Sequence, residues 1–202
     1  MSISVLHILP SLELGGAERV TIELAHIQRQ EGLDAQILSL GKQQDFLVAA
    51  VESRDIPLQL CSAGGTRLGR YKRIANHFKR FDVLHIHSPR GLRYIAPIIP
   101  FFAGKTIIYT RHGLDPLDSP YYSFIHKMMR PFIDYVTFVT SSGYDVFQQN
   151  HHWNEAKMRV VTNGVYVPDS PAPEPAKPLR FASVGRMVRL KGQPNLLSAI
   201  SQ

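Results

Sequence analysis

Two glycines and two cations stand where phosphate chemistry would need them. Gly15-Gly16 follow the first apolar run, Ile3 to Leu9, and precede an amphipathic stretch. Backbone N–H groups without side chains and the positive end of a helix dipole would there be open to an anion. The same pair would also serve a tight turn that needs φ > 0. Near the other end, Arg186 and Lys191 flank a short loop between Gly185 and Gly192. A planar fork and a point charge at that spacing can grip a diphosphate and offset charge developing on a nucleotide leaving group. As an isolated pair they read equally as solvated cations at a helix start.

Histidines form the second group. His112, between Arg111 and Gly113, directly follows a β-branched run, at the carboxyl edge where open α/β sheets bind ligands. It reads either as a catalytic group or as a hydrogen-bonded structural residue. His85 and His87 share one face of their strand, because side chains alternate. His85, deeper in the strand, is expected in the core, and His87 is expected to border a cleft. No third ligand at a telling spacing accompanies them, so the expectation is no metal.

These residues need a scaffold, and the hydropathy pattern supplies one. Short β-branched runs at Ile3 to Leu9, Ala35 to Leu40, Pro57 to Leu60, Val83 to His87, Thr106 to Arg111, Tyr135 to Thr140 and Met158 to Thr162 alternate with helical patterns. That alternation predicts an α/β fold with a mostly parallel sheet covered on both faces. The clearest helix spans Ala17 to Glu31, with Ala17, Val20, Leu24 and Ile27 as its apolar stripe and Gly32 as its stop. A second, from Thr66 to Phe81, contains no acid and carries Arg67, Arg70, Lys72, Arg73, Lys79 and Arg80. Its stripe of Leu68, Tyr71, Ile74, Ala75 and Phe78 would pack on the sheet, and its cations are suited to an anionic membrane surface. The prolines from Pro168 to Pro178 read as an interdomain linker. The expected organisation is therefore a first domain over 1–167, a linker over 168–178, and the first βα unit of a truncated second domain over 179–202.

Composition narrows the function classes. The 44% hydrophobic and 9% aromatic content supports a packed core. The formal charge of +7 favours polyanionic partners without choosing among them. A single cysteine, Cys61, allows no disulfide within the chain, and Met1-Ser2-Ile3 lacks the basic stretch of a signal peptide, so a cytoplasmic location is expected. The apolar run from Tyr94 to Ala103 is broken by Pro97 and Pro100 and is far shorter than the ~20 residues of a spanning helix. Gly15-Gly16 is not G-x-G-x-x-G, and Ser39-Leu40-Gly41 offers no acid for a ribose, which counts against a nicotinamide-dependent oxidoreductase. No nucleic-acid motif interleaves the basic residues.

In combination, LHILPSLELGGAE over 6–18, DVLHIHS over 82–88, YTRHG over 109–113, VTNGV over 161–165 and VGRMVRLKG over 184–192 resemble the retaining, nucleotide-sugar-dependent GT-B glycosyltransferases of family 4, or group 1. The resemblance implies a Rossmann-like acceptor-side lobe, with most of the donor-side lobe, including its glutamates, lying past Gln202. It implies that Gly15 and Gly16 approach the donor phosphates, that His112 lies beside the transferred sugar, and that Arg186 and Lys191 neutralise the diphosphate. His87 and Asn163 are its cleft-lining candidates. The implied partners are a nucleotide-sugar and a glycan or lipid-linked acceptor, with no cofactor. A fragment of this extent is expected to be inactive alone. A non-catalytic interaction module of the same fold is the alternative.

Overall fold

The computed structural model describes residues 2–61, 66–102, 104–113, 120–164, 183, 185 and 192–201. The chain divides into two units, Met1–Gly164 and Val165–Gln202. In the first, seven parallel strands form one sheet in the order β3-β2-β1-β4-β5-β6-β7. They are β1 (Ser4–Leu9), β2 (Asp34–Ser39), β3 (Leu58–Leu60), β4 (Val83–His87), β5 (Thr106–Arg111), β6 (Tyr135–Phe138) and β7 (Met158–Val160). Each expected run yields a strand. The order reverses between β1 and β4, and such a switch point opens a crevice at the carboxyl ends of the strands.

Helices cover both faces. Leu6 and Ile8 of β1 join Leu84, Ile107, Val136 and Phe138 in the larger core, sealed by α3 (Arg67–Phe78), α4 (Pro89–Ile95), α5 (Pro120–Met129) and α6 (Ser141–His151). The opposite parity, Leu9 with Ala35 and Ile37, packs on α1 (Gly16–Gln30) and α2 (Val48–Glu52). Strand alternation thus splits one apolar pattern into two cores.

Helix α1 lies about one residue's rotation from the expected stripe. Thr21, Ile22 and Ala25 are buried, while Ile27 is 52% exposed. The sheet beneath carries His7, whose ring requires a polar partner, and the turn of α1 that meets it supplies Gln28. In α3, Ile74 and Phe78 are buried as expected, but Leu68 is 79% exposed, one residue into the helix.

The second unit contributes α7 (Gln193–Ile200), opened by Gly192 in the left-handed region at φ 65°. The 168–178 linker, Arg186 and Lys191 lie outside the described residues.

Candidate active site

The parallel register of β1 and β4 sets His7 directly beside His85, and the β4–β5 register sets His87 beside Thr110. One face of the sheet centre is therefore a polar row among hydrophobic strands. His7 is fully buried and His87 is 1% exposed, so His87 is enclosed rather than lining a surface, contrary to expectation. The partly exposed member of the pair is His85, whose Nε2 lies 2.6 Å from Thr110 Oγ1.

His7 supplies the third imidazole that spacing alone did not reveal. One ring nitrogen from each of His7, His85 and His87 lies within 4.8 Å of the other two. That grouping is geometrically open to a cation. Its atoms are nevertheless committed to hydrogen bonds, His7 Nδ1 standing 3.1 Å from His87 Nε2. A metal would have to break that contact.

The hydrogen bonds run in one line. His7 Nε2 lies 2.7 Å from Gln28 Oε1, His7 Nδ1 meets His87 Nε2, and His87 Nδ1 lies 2.9 Å from His112 Nε2. A carbonyl oxygen only accepts, so His7 Nε2 carries the proton and donates to Gln28. Neutral His7 then accepts at Nδ1 from His87 Nε2–H, and neutral His87 accepts at Nδ1 from His112 Nε2–H. His112 is left with an unprotonated Nδ1, which has no hydrogen-bond partner among the described residues. Gln28, 21 residues from His7, thereby sets the tautomer of His112.

All of these rings are neutral near pH 7. Loss of water around them is the main cause: it lowers His7 to about 4 although the hydrogen bond to Gln28 acts in the opposite direction, and lowers His112 to about 4. Burial, reinforced by the neighbouring imidazoles, pushes His85 and His87 well below the ordinary range. His112 is thus an uncharged acceptor at the end of β5.

Gly15 and Gly16 open α1 just beyond β1. Gly15 is extended, at φ −158°, and Gly16 is not in the left-handed region either, so neither serves a turn that only glycine can make. A methyl group on Gly15 would run into the Glu18 carboxylate, whereas one on Gly16 would meet no atom within 4 Å. Glu18 sits in the first turn, where the helix dipole favours an anion. A ligand phosphate arriving at Gly15 would have to displace that carboxylate. Asn163 is exposed beyond β7, at the same sheet edge as His112.

Between β4 and α4 the chain turns through Ser88 at φ 84°, ψ 154°, a conformation ordinarily held by glycine. Ser88 N–H donates to Thr110 O, and its Oγ accepts from Gly91 N–H. The two bonds fix the corner at which His87 ends the strand and α4 begins.

The Glycosyltransferase Family 4 profile matches residues 14–167. Among solved structures, the chain resembles Alr3699/HepE from Anabaena in complex with UDP, at 18% identity and a TM-score of 0.70 over 81% of this chain and 44% of that one. It also resembles a glycosyltransferase from Rickettsia africae ESF-5, at 23% identity and a TM-score of 0.64 over 81% and 44%. The apo lipopolysaccharide outer core galactosyltransferase WaaB aligns at 15% identity and a TM-score of 0.62 over 87% and 50%. No curated protein matches the chain. The chain spans half or less of the length of these structural relatives, and its sheet matches the N-terminal lobe of their GT-B fold. With a family match over most of its length, the chain belongs to Glycosyltransferase Family 4.

Proposed function

We propose that the chain is the acceptor-side lobe, with the opening of the donor-side lobe, of a retaining glycosyltransferase. It would move a sugar from a nucleoside diphosphate to a hydroxyl of a glycan or lipid-linked acceptor. The observation that carries this reading is the ordered line from Gln28 to His112, which ends in a neutral imidazole acceptor at the sheet edge of a Family 4 chain.

In this reading a hydroxyl of the transferred sugar donates to His112 Nδ1, a buried atom that must be uncovered when the donor binds. Backbone N–H groups at Gly15-Gly16 meet the donor diphosphate once the Glu18 carboxylate swings aside. The acceptor oxygen bonds to the anomeric carbon as the bond from that carbon to the diphosphate breaks, and the acceptor proton passes to the departing nucleoside diphosphate. Arg186 and Lys191 offset the charge that develops there. The Anabaena relative was solved with UDP-glucose, which supports a uridine nucleotide as the first donor to test.

The same reading puts the protein in the cytoplasm, on the inner face of the membrane. Arg67, Lys72, Arg73, Lys79 and Arg80 of the α3 region are all exposed, together with Leu68. Among the described residues no helix is long and apolar enough to cross a membrane.

The test is transfer from a panel of nucleotide sugars. Residues 1–202 alone should unfold cooperatively and show no turnover, because both walls of a two-lobed cleft are needed to hold the reactants in register, an effect on the order of 7 to 11 kcal/mol. A chain extended past Gln202 through a donor-binding lobe should transfer, with the anomeric configuration of the donor kept in the product. Turnover by 1–202 would overturn the division of labour between lobes. Lack of transfer by the extended chain would favour an interaction module.

A further inference from the structure

A cavity of about 580 Å³ opens at the switch point of the sheet. Pro10, just beyond β1, and Leu40, just beyond β2, line its base; Arg67 and Arg70 come from α3, and Arg90 and Arg93 from α4. No carboxylate among the described residues lines it. Among the described residues, none of these four arginines makes an ion pair, whereas Arg29 and Arg54 elsewhere pair with Asp34 and Glu23.

The placement of Arg67 and Arg70 works against the helix that carries them. Arg67 and Arg70 lie in the first turns of α3, which has no acid in its first turn, whereas Arg93 lies in the last turn of α4. A helix start disfavours positive charge, so the α3 pair is explained by an anionic ligand rather than by its helix. The guanidinium groups are also held in place. Arg70 Nη1 donates to Tyr94 Oη, and its buried Nε has no partner among the described residues. The Arg93 guanidinium lies 4.9 Å from the centre of the Tyr121 ring. Tyr71 and Tyr94 are in tilted ring contact at 5.8 Å.

We propose that this cavity holds the phosphate or diphosphate of the acceptor, so that the acceptor is a phosphorylated molecule and not a neutral glycan. The proposal rests on the glycosyl-transfer reading and names the substrate class of its acceptor side. Four guanidinium forks match the oxygens of a phosphate or diphosphate better than a single carboxylate. The volume exceeds what a phosphate needs and leaves room for part of its bearer against Tyr71, Tyr94 and Pro97. The donor diphosphate is assigned elsewhere, and neither Gly15 nor Gly16 lines this cavity.

Calorimetric titration of the 202-residue chain with farnesyl diphosphate and with inorganic pyrophosphate tests it. Both should bind. Tighter binding of the farnesyl compound assigns a lipid-borne phosphate, and equal binding assigns a soluble phosphorylated acceptor. Arg70→Gln/Arg93→Gln should weaken binding at least about tenfold, the scale of a lost charge-assisted hydrogen bond. Arg67→Gln and Arg90→Gln, both at exposed positions, provide the same reading should the double variant fail to fold. Lys127→Gln/Arg130→Gln, at a separate cavity, removes the same charge and should leave affinity within about twofold. Absence of binding, insensitivity to the pocket arginines, or an equal loss in the Lys127/Arg130 variant would overturn the proposal. Competition by UDP with the same arginine dependence would also overturn it, by making this the donor's phosphate site. The titration involves no turnover, so pocket-dependent binding without sugar transfer in the extended chain would defeat the transfer reading while leaving the phosphate site standing.

Discussion

His7 Nε2 and Gln28 Oε1 stand 2.7 Å apart, and that hydrogen bond orders every proton between the middle of β1 and the end of β5. Because an amide oxygen cannot donate, the three imidazoles in line behind it each have one available tautomer. The chemical state of His112 is thus decided on helix α1.

Gln28→Leu should remove that order. A buried N–H on His7 would lose its acceptor, costing about 1–3 kcal/mol of stability. Nitrogen-15 spectra of wild type should show His112 Nδ1 as unprotonated, and the variant should show mixed tautomers. Identical histidine spectra in the two proteins would mean that Gln28 does not set the order.

Acid should destabilise the protein well above the carboxylate range. Unfolded imidazoles take up protons near pH 6.5, whereas His7 and His112 in the folded protein do so only near 4, and His126 near 3. The unfolded state therefore binds more protons in this window. The contribution to stability is complete above about pH 6.5 and is lost progressively as pH falls towards 4. Melting temperatures measured from about pH 7.5 down to about 4.5 should decline throughout that window. A flat profile would mean that these rings are not held neutral.

Gly16→Ala separates a binding role from a structural one. The added methyl has open space and the backbone is not left-handed, so stability should be unchanged or rise by up to about 1 kcal/mol. UDP affinity of the extended protein should nevertheless fall, because the methyl would occupy the approach of the diphosphate. If calorimetry finds equal affinities, the phosphates do not contact Gly16. Gly15→Ala should cost little stability as well, since its methyl meets only the end of the flexible Glu18 side chain and the backbone there is extended.

Vesicle sedimentation examines the basic surface of α3. Ile74 and Phe78 are committed to the core, so contact with lipid would be made by cations and Leu68 and should be reversed by salt. Three engaged cations at about 1 kcal/mol each suffice for measurable binding to anionic vesicles. Equal sedimentation with neutral vesicles would remove α3 from the membrane surface.

The strands were legible because each is a compact β-branched run between breakers, and local chemistry decides such elements. The histidine line was legible only in part. His85 and His87 are neighbours in sequence, but His7 is 78 residues away from His85 and reaches it through the β1–β4 pairing. Strand order is a property of the assembled sheet, and no periodicity in β1 announces it. The exposure of Ile27 was hidden for a related reason. Several faces of α1 are apolar enough to pack, and the buried polar ring beneath it favours the one that carries Gln28. The cavity arginines occur in two pairs, one on α3 and one on α4, and their convergence becomes visible only when both helices return to the same sheet edge.

The unusual backbone at Ser88 leaves only Pro89 between that corner and Arg90 on one side, with His87 directly before it on the other. An imidazole of the line that ends at the donor side and a guanidinium assigned to the acceptor therefore share one short stretch of main chain. Substitutions in the two groups should not have independent effects: a His87 variant and an Arg90 variant combined should depart from the sum of the separate changes, as expected for sites coupled through a common backbone shift.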